Sequence, residues 1–135
     1  MIAIDTNVLV YLWLPSDKAA VAERIFSADP VWVAPLLWRS EFRNVVSQYL
    51  KRGVPFDIGL ESIENAENLM KGNEVEVNSR QVLQLVKESG CSAHDCEFVY
   101  VAQTRSVPLI TFDSQILAKF SDIAIDPLKF IEQFP

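Results

Sequence analysis

The chain has 135 residues, half of them apolar and 22% charged, with a formal net charge of −6. This length suits one domain with a substantial core, and the composition excludes a disordered chain. The acidic balance argues against a protein that holds nucleic acid through a broad basic surface, although a bound metal ion can supply positive charge locally.

Cellular location is predicted from what the chain lacks. No apolar run is long enough to span a bilayer, and no basic stretch precedes the first apolar residues, so neither a membrane partner nor a signal peptide is expected. Cys91 and Cys96 are too few for a disulfide framework and are expected to be free thiols. These features together predict a cytoplasmic protein.

Periodicity, prolines and caps divide the chain into alternating strands and helices. In chain order they are strand 1–4, helices 6–14 and 17–27, strand 31–34, helices 36–52 and 55–70, exposed strand 74–77, helices 79–89 and 93–105, strand 108–111, helix 114–120, strand 123–125 and a helical turn after Asp126. The pattern predicts one α/β domain over residues 1–135, with a central parallel sheet of four to five strands between layers of helices.

Two acidic residues follow predicted strands. Asp5 ends the first apolar run, and Asp113 follows the apolar segment 107–112. The carboxyl ends of parallel strands share one edge of a sheet, where ligands bind, so both side chains are expected there. The structural alternative is that each carboxylate caps the helix that follows it. Asp95, three residues after Ser92, has a similar alternative in a capping box.

Glu41 differs because it lies in the middle of a predicted helix, where no cap is available. It shares the apolar face with Leu37 and Val45, four residues to either side. A buried carboxylate without a partner is costly. The alternative is an ion pair with an arginine or a place at the edge of the apolar stripe, the candidate partners being Arg24, Arg39 and Arg43.

These four acids predict a metal site if the fold brings them together. Two carboxylates about 5 Å apart repel by roughly 3 kcal/mol at an effective dielectric of 20, so a cluster needs a compensating cation. A set with only oxygen ligands favours Mg²⁺ or Mn²⁺ over zinc.

Four short motifs then resemble those of PIN-domain ribonucleases, particularly the VapC-type toxins of toxin–antitoxin systems. They occur in the family's order and span nearly the whole chain: residues 5–10 (DTNVLV), 38–42 (WRSEF), 92–96 (SAHDC) and 109–113 (LITFD). The resemblance implies a PIN-like fold and Mg²⁺- or Mn²⁺-dependent endonucleolytic cleavage of single-stranded RNA. It implies as partners RNA, single-stranded or structured, a second copy in a homodimer and a cognate antitoxin.

Carried over residue by residue, the resemblance makes Asp5, Glu41, Asp95 and Asp113 the catalytic and metal-binding acids. Thr6, Asn7 and Thr111 would support the pocket.

Basic residues for holding RNA are sparse. Arg39, Arg43 and Lys119 are candidate phosphate contacts, with ordinary surface charge and ion pairs as the alternative. His94 is expected to turn away from the pocket, because its neighbour Asp95 faces it.

Two other functions are alternatives to this one. The first is a PIN-like module that binds proteins and performs no chemistry. The second is a phosphotransfer or receiver domain, which fits poorly because Asn7 stands where a second aspartate would be required.

Overall fold

Five short strands form one all-parallel sheet in the computed structural model, which describes residues 1–135. They are β1 (Ile2–Ile4), β2 (Trp32–Pro35), β3 (Glu74–Val75), β4 (Leu109–Ile110) and β5 (Ala124–Ile125). Their order is β3-β2-β1-β4-β5, and in the centre Ala3 pairs with Val33 on one side and Leu109 on the other. The predicted parallel α/β sheet is confirmed.

Eight helices flank this sheet. They are α1 (Thr6–Trp13), α2 (Ala19–Ala28), α3 (Leu37–Lys51), α4 (Phe56–Met70), α5 (Ser79–Ser89), α6 (Ala93–Arg105), α7 (Ser114–Lys119) and α8 (Pro127–Glu132). None of them is long and apolar enough to cross a membrane. The predicted helices are all present, with ends that differ by about two residues or fewer.

Local sequence signals account for several boundaries. The Asn78 side chain accepts a hydrogen bond from the backbone N–H of Gln81, which caps α5 as predicted. Gly90 ends the same helix at a φ of 75°, a left-handed conformation that glycine adopts without steric cost. The prediction of an exposed strand at 74–77 was wrong in two respects. Only Glu74 and Val75 form β3, and both are half-buried because β3 pairs with β2.

The core covers both faces of the sheet. Trp32, Trp38 and Phe42 are among its largest fully buried side chains, and the three residues of β1 are buried as well. Continuous burial of a central strand is expected when helices cover both faces of a parallel sheet.

The chain changes direction across the sheet at β1. From β1 it continues to β2 and β3 on one side, while β4 and β5 lie on the other. Ligands of open parallel sheets bind at such a switch point, outside the carboxyl ends of the strands. Asp5 directly follows β1, and Asp113 lies three residues beyond β4. The topology therefore places both acids at this switch point.

Candidate active site

An open cleft of about 470 Å³ lies at this edge of the sheet. All four predicted acids line it, together with Thr6, Asn7 and other residues: Leu37, Ser40, Asn44, Val45 and His94. Asp5 and Asp113 come from strand ends, Glu41 from the middle of α3 and Asp95 from the first turn of α6. Side chains from distant parts of the sequence thus face one space.

Asp5 is the most enclosed of the four acids. Its side chain makes no capping hydrogen bond to α1, so the capping alternative does not describe it. Instead the Thr111 hydroxyl donates to Asp5 Oδ2 at 2.8 Å. Burial, together with the charges of Glu41 and Asp95, raises the pKa of Asp5 to about 6 despite the lowering effect of the Thr111 bond. None of the salt bridges in the protein includes Asp5, so no lysine or arginine offsets the charge of its ionised carboxylate.

Glu41 is likewise held by a hydroxyl and by no cation. The Thr6 hydroxyl donates to Glu41 Oε1 at 2.6 Å. None of the salt bridges in the protein includes Glu41, so the alternative of an ion pair with an arginine does not hold. Thr6 links the start of α1 to α3 across the cleft.

Asp113 caps a helix, whereas Asp95 does not. Asp113 Oδ1 accepts from the N–H of Ile116 at 2.9 Å and so caps α7, as its structural alternative predicted. At α6 the cap is Ser92, whose hydroxyl accepts from the N–H of Asp95 at 3.1 Å. Burial and the nearby charge of Asp113 raise the pKa of Asp95. Both acids nonetheless face the cleft.

Thr111 connects the two strand-end acids. Its hydroxyl donates to Asp5 and accepts from the backbone N–H of Asp113 at 3.0 Å, and its side chain is fully buried. One hydroxyl therefore links the Asp5 carboxylate to the backbone of Asp113. A supporting role of Thr111 in the pocket stays a prediction.

The ligand chemistry of the cleft fits a hard divalent cation. Its charged lining consists of four carboxylates, and no lysine or arginine is among its lining residues. Oxygen ligands of this kind are typical of Mg²⁺ and Mn²⁺ sites. In the present conformation no three His, Cys, Asp or Glu side chains converge closely enough to form a ready-made metal site. The acids share one cleft, but they do not converge on one point.

The three basic candidates are placed differently from one another. Arg39 donates to Glu74 through Nε at 2.6 Å and Nη2 at 2.9 Å, and it also pairs with Glu67. Its guanidinium therefore has the structural ion pairs that were the alternative to an RNA contact. Arg43 donates to the Ser40 hydroxyl at 3.3 Å, next to the cleft, and Lys119 is exposed at the end of α7 without an ion pair.

Sequence reasoning missed several cleft residues. The expectation that His94 turns away from the pocket was wrong, because its exposed side chain lines the cleft from the first turn of α6. Asn44 is also part of the lining, and its spacing of three residues from Glu41 on α3 was a usable signal. Glu97 lies close enough to Glu41 and His94 to interact with both. Burial and the charge of Glu41 raise the pKa of Glu97, while His94 lowers it. No motif indicated Glu97.

Comparison with known proteins identifies related folds. The model of the PIN domain family matches residues 2–124. The crystal structure of PAE2754 from Pyrobaculum aerophilum superimposes with a TM-score of 0.73 at 22% identity, covering 97% of this chain and 93% of that one. A toxin–antitoxin complex from Klebsiella pneumoniae gives a TM-score of 0.69 at 17% identity, with coverage of 94% and 98%. None of the curated proteins matches the chain.

Proposed function

The chain belongs to the PIN domain family, whose members are generally nucleases, and from this premise we propose that it is a metal-dependent endoribonuclease. The proposed reaction is hydrolysis of phosphodiester bonds in single-stranded RNA. The proposed catalytic residues are Asp5, Glu41, Asp95 and Asp113, with Mg²⁺ or Mn²⁺ as the cofactor.

One observation carries the proposal: four carboxylates from four separate segments line a cleft that contains no lysine or arginine. Burial, with a smaller contribution from neighbouring acids, raises the pKa of Asp5 and of Asp95, so their ionised forms cost folding free energy. A structural role would be better served by neutral side chains or by ion pairs. The cost is understandable if the acids act on a cation and a substrate.

The chain's own residues would position the reaction. Asp5 and Asp95 are the proposed direct ligands, while Glu41 and Asp113 would orient a water molecule or hold a second ion. The hydroxyls of Thr111 and Thr6 fix two of these carboxylates, so their orientation is set before substrate arrives. When bound, the metal ion supplies activation of water and stabilisation of charge on the attacked phosphate.

The partner we propose is a cognate antitoxin, which would make this protein the toxin of a VapBC-type pair. Phe56 and Leu60 lie one turn apart on α4 and are 66% and 42% exposed. Adjacent exposed apolar side chains suit a protein partner better than water. The toxin–antitoxin complex from Klebsiella pneumoniae, which shares the fold, supports this proposal.

Cleavage of labelled single-stranded RNA tests the function. Wild-type protein and Asp5→Asn are incubated with RNA in the presence of Mg²⁺, Mn²⁺ or EDTA. Wild type should cut with either metal and stop in EDTA. Asp5→Asn should lose about a thousandfold in rate while remaining folded, since several kcal/mol of transition-state stabilisation depend on the metal. Cutting that survives both EDTA and the substitution would refute the proposal.

A protein-binding module without catalytic activity gives a different result in the same experiment. Such a module would cut no RNA and would show no Mn²⁺-dependent shift in thermal unfolding. The proposed enzyme should show that shift, and Asp5→Asn should reduce it.

A further inference from the structure

Lys18 lies against two aromatic rings just before α2. Its Nζ is 4.6 Å from the ring centroid of Phe112 and 5.4 Å from that of Tyr11. The two rings contact each other edge to face, with centroids 5.6 Å apart and planes at 72°. The electron-rich faces of both rings attract the ammonium group electrostatically and restrict its position. Lys18 is thus a cation held in place.

The topology places Lys18 at the same edge of the sheet as the cleft. Helix α2 ends shortly before β2 begins, so its last turn lies at the amino ends of the strands and its first turn, next to Lys18, lies at the carboxyl ends. Phe112 agrees with this placement, because it lies two residues beyond β4 and directly precedes Asp113.

Helix α1 connects the cleft to Lys18. Asn7 lines the cleft, and Tyr11 follows it by one helical turn on the same side of the helix. Lys18 then covers the Tyr11 ring. A path runs from the carboxylates over Asn7 and Tyr11 to a positive charge.

That charge is available to a ligand. Lys18 takes part in none of the salt bridges of the protein, and its side chain is half-buried rather than enclosed. Arg39, by contrast, is occupied by two glutamates. A polyanion that enters a cleft lined by carboxylates needs a positive anchor beside it. Lys18 meets this need at a fixed position.

We propose that Lys18, positioned by Tyr11 and Phe112, binds a backbone phosphate of the single-stranded RNA where the strand leaves the cleft along α1. This inference rests on the proposed function and adds a substrate-binding position to it. The contact is made to phosphate, so it strengthens binding without selecting a sequence. The rings contribute by orienting the ammonium group.

The test compares Lys18→Gln with a matched control, Lys71→Gln. Lys71 is an exposed lysine in the turn before β3, at the opposite edge of the sheet. Both substitutions remove one positive charge, so the net charge of the two variants is equal. Lys18→Arg keeps the charge. Cleavage kinetics are measured for each variant over a range of monovalent salt, together with thermal unfolding. RNA binding is measured over the same range with each substitution combined with Asp5→Asn, which prevents cleavage.

Each single-strand phosphate contact contributes about 0.7 to the slope of log affinity against log salt, which is about fivefold in affinity at 0.1 M salt relative to about 1 M. Losing the Lys18 contact in Lys18→Gln should therefore raise KM about fivefold at 0.1 M salt. That slope should fall by about 0.7, with kcat unchanged. Lys71→Gln should behave as wild type, and Lys18→Arg should restore most of the affinity.

Three outcomes separate this inference from the proposed function. If wild type cleaves RNA and Lys18→Gln has an unchanged KM and salt slope, the inference is overturned and the function stands. A lowered unfolding temperature with unchanged KM overturns the inference as well, since Lys18 would then only fasten α1, α2 and β4 together. If wild type cleaves no RNA with either metal, the proposed function fails and the inference fails with it.

Discussion

Helix α3 separates two clusters of charged side chains, and only one of them contains a cation. On one side, Arg39 pairs with Glu74 and Glu67, and the Trp38 indole N–H donates to Glu74 at 2.9 Å. On the other side, Glu41 faces the cleft with only a hydroxyl partner. Arg39 and Glu41 are two residues apart, yet one belongs to a cluster that contains a cation and the other to a cluster that contains none.

The two clusters have opposite effects on the stability of the fold at neutral pH. In the Arg39 network the guanidinium lowers the pKa of Glu74, so the ion pair stabilises the fold at neutral pH. In the cleft, burial and like charges raise the pKa of Asp5, so the ionised carboxylate destabilises the fold at neutral pH. The ion pairs of Arg39 fasten α3 to α4 and β3. The cluster without a cation is the candidate active site.

Without a bound metal ion, the stability of the protein should depend on pH through the titration of Asp5. The folded-state pKa of Asp5 is about 6, above its ordinary value of 3.8. The folded state therefore binds this proton more tightly, and its contribution is present below about pH 4 and lost as pH rises through 6. That contribution amounts to about 3 kcal/mol, at 1.36 kcal/mol per pKa unit.

Asp5→Asn should remove this loss. In EDTA, urea unfolding at pH 4 and pH 7 should show the variant gaining about 2 kcal/mol relative to wild type as the pH rises, since part of the total is already lost at pH 4. Saturating Mn²⁺ should stabilise wild type more than the variant at pH 7. Parallel pH profiles for the two proteins would contradict the assignment of unbalanced charge to Asp5.

Thr111→Val leaves the carboxylates in place and removes a hydroxyl that binds the Asp5 carboxylate and the backbone N–H of Asp113. Activity should fall about 10- to 100-fold, the effect typical of losing an outer partner of a metal ligand. Thr111→Ser keeps the hydroxyl and should recover most of the loss in a cleavage assay. Equal activity in the valine and serine variants would show that the Asp5 and Asp113 contacts do not matter.

Arg39→Met tests the cluster that contains a cation. The Glu74 side chain is 14% exposed but Arg39 is 34% exposed and screened by solvent, so losing this partner should cost about 1 kcal/mol of unfolding free energy. In a double-mutant cycle with Glu74→Gln, the two losses should not add. KM for RNA should remain as in wild type. A raised KM with unchanged stability would return Arg39 to the candidate RNA contacts.

Much of the fold could be predicted because its signals are local. Asn78 and Gly90 indicated where α5 begins and ends, and the apolar segments separated by helical patterns indicated a parallel sheet. The alternation over 74–77 predicted a strand there, but its extent and burial could not be predicted, because Glu74 and Val75 alone pair with β2 and become half-buried by that pairing. Pairing between distant segments is not encoded in a short window of sequence.

The site divides in the same way. Asp5, Glu41, Asp95 and Asp113 could be selected from the sequence, since each is an acid in a position where a carboxylate is unfavourable or at a strand end. Whether each makes a cap, an ion pair or a face of the cleft was left open by local pattern. Asp113 makes both a cap and a cleft face, Asp5 makes no cap, and Glu41 makes no ion pair.

Periodicity, caps and residue chemistry act within a few residues, so they were enough to predict the class of fold, the order of its elements and the acids that line the cleft. Which charged groups lie next to each other depends on how the chain folds. It set Arg39 against Glu74, turned His94 toward the cleft and laid Lys18 on the rings of Tyr11 and Phe112. Electrostatic interactions depend on distance through space, and that distance exists only once the chain has folded.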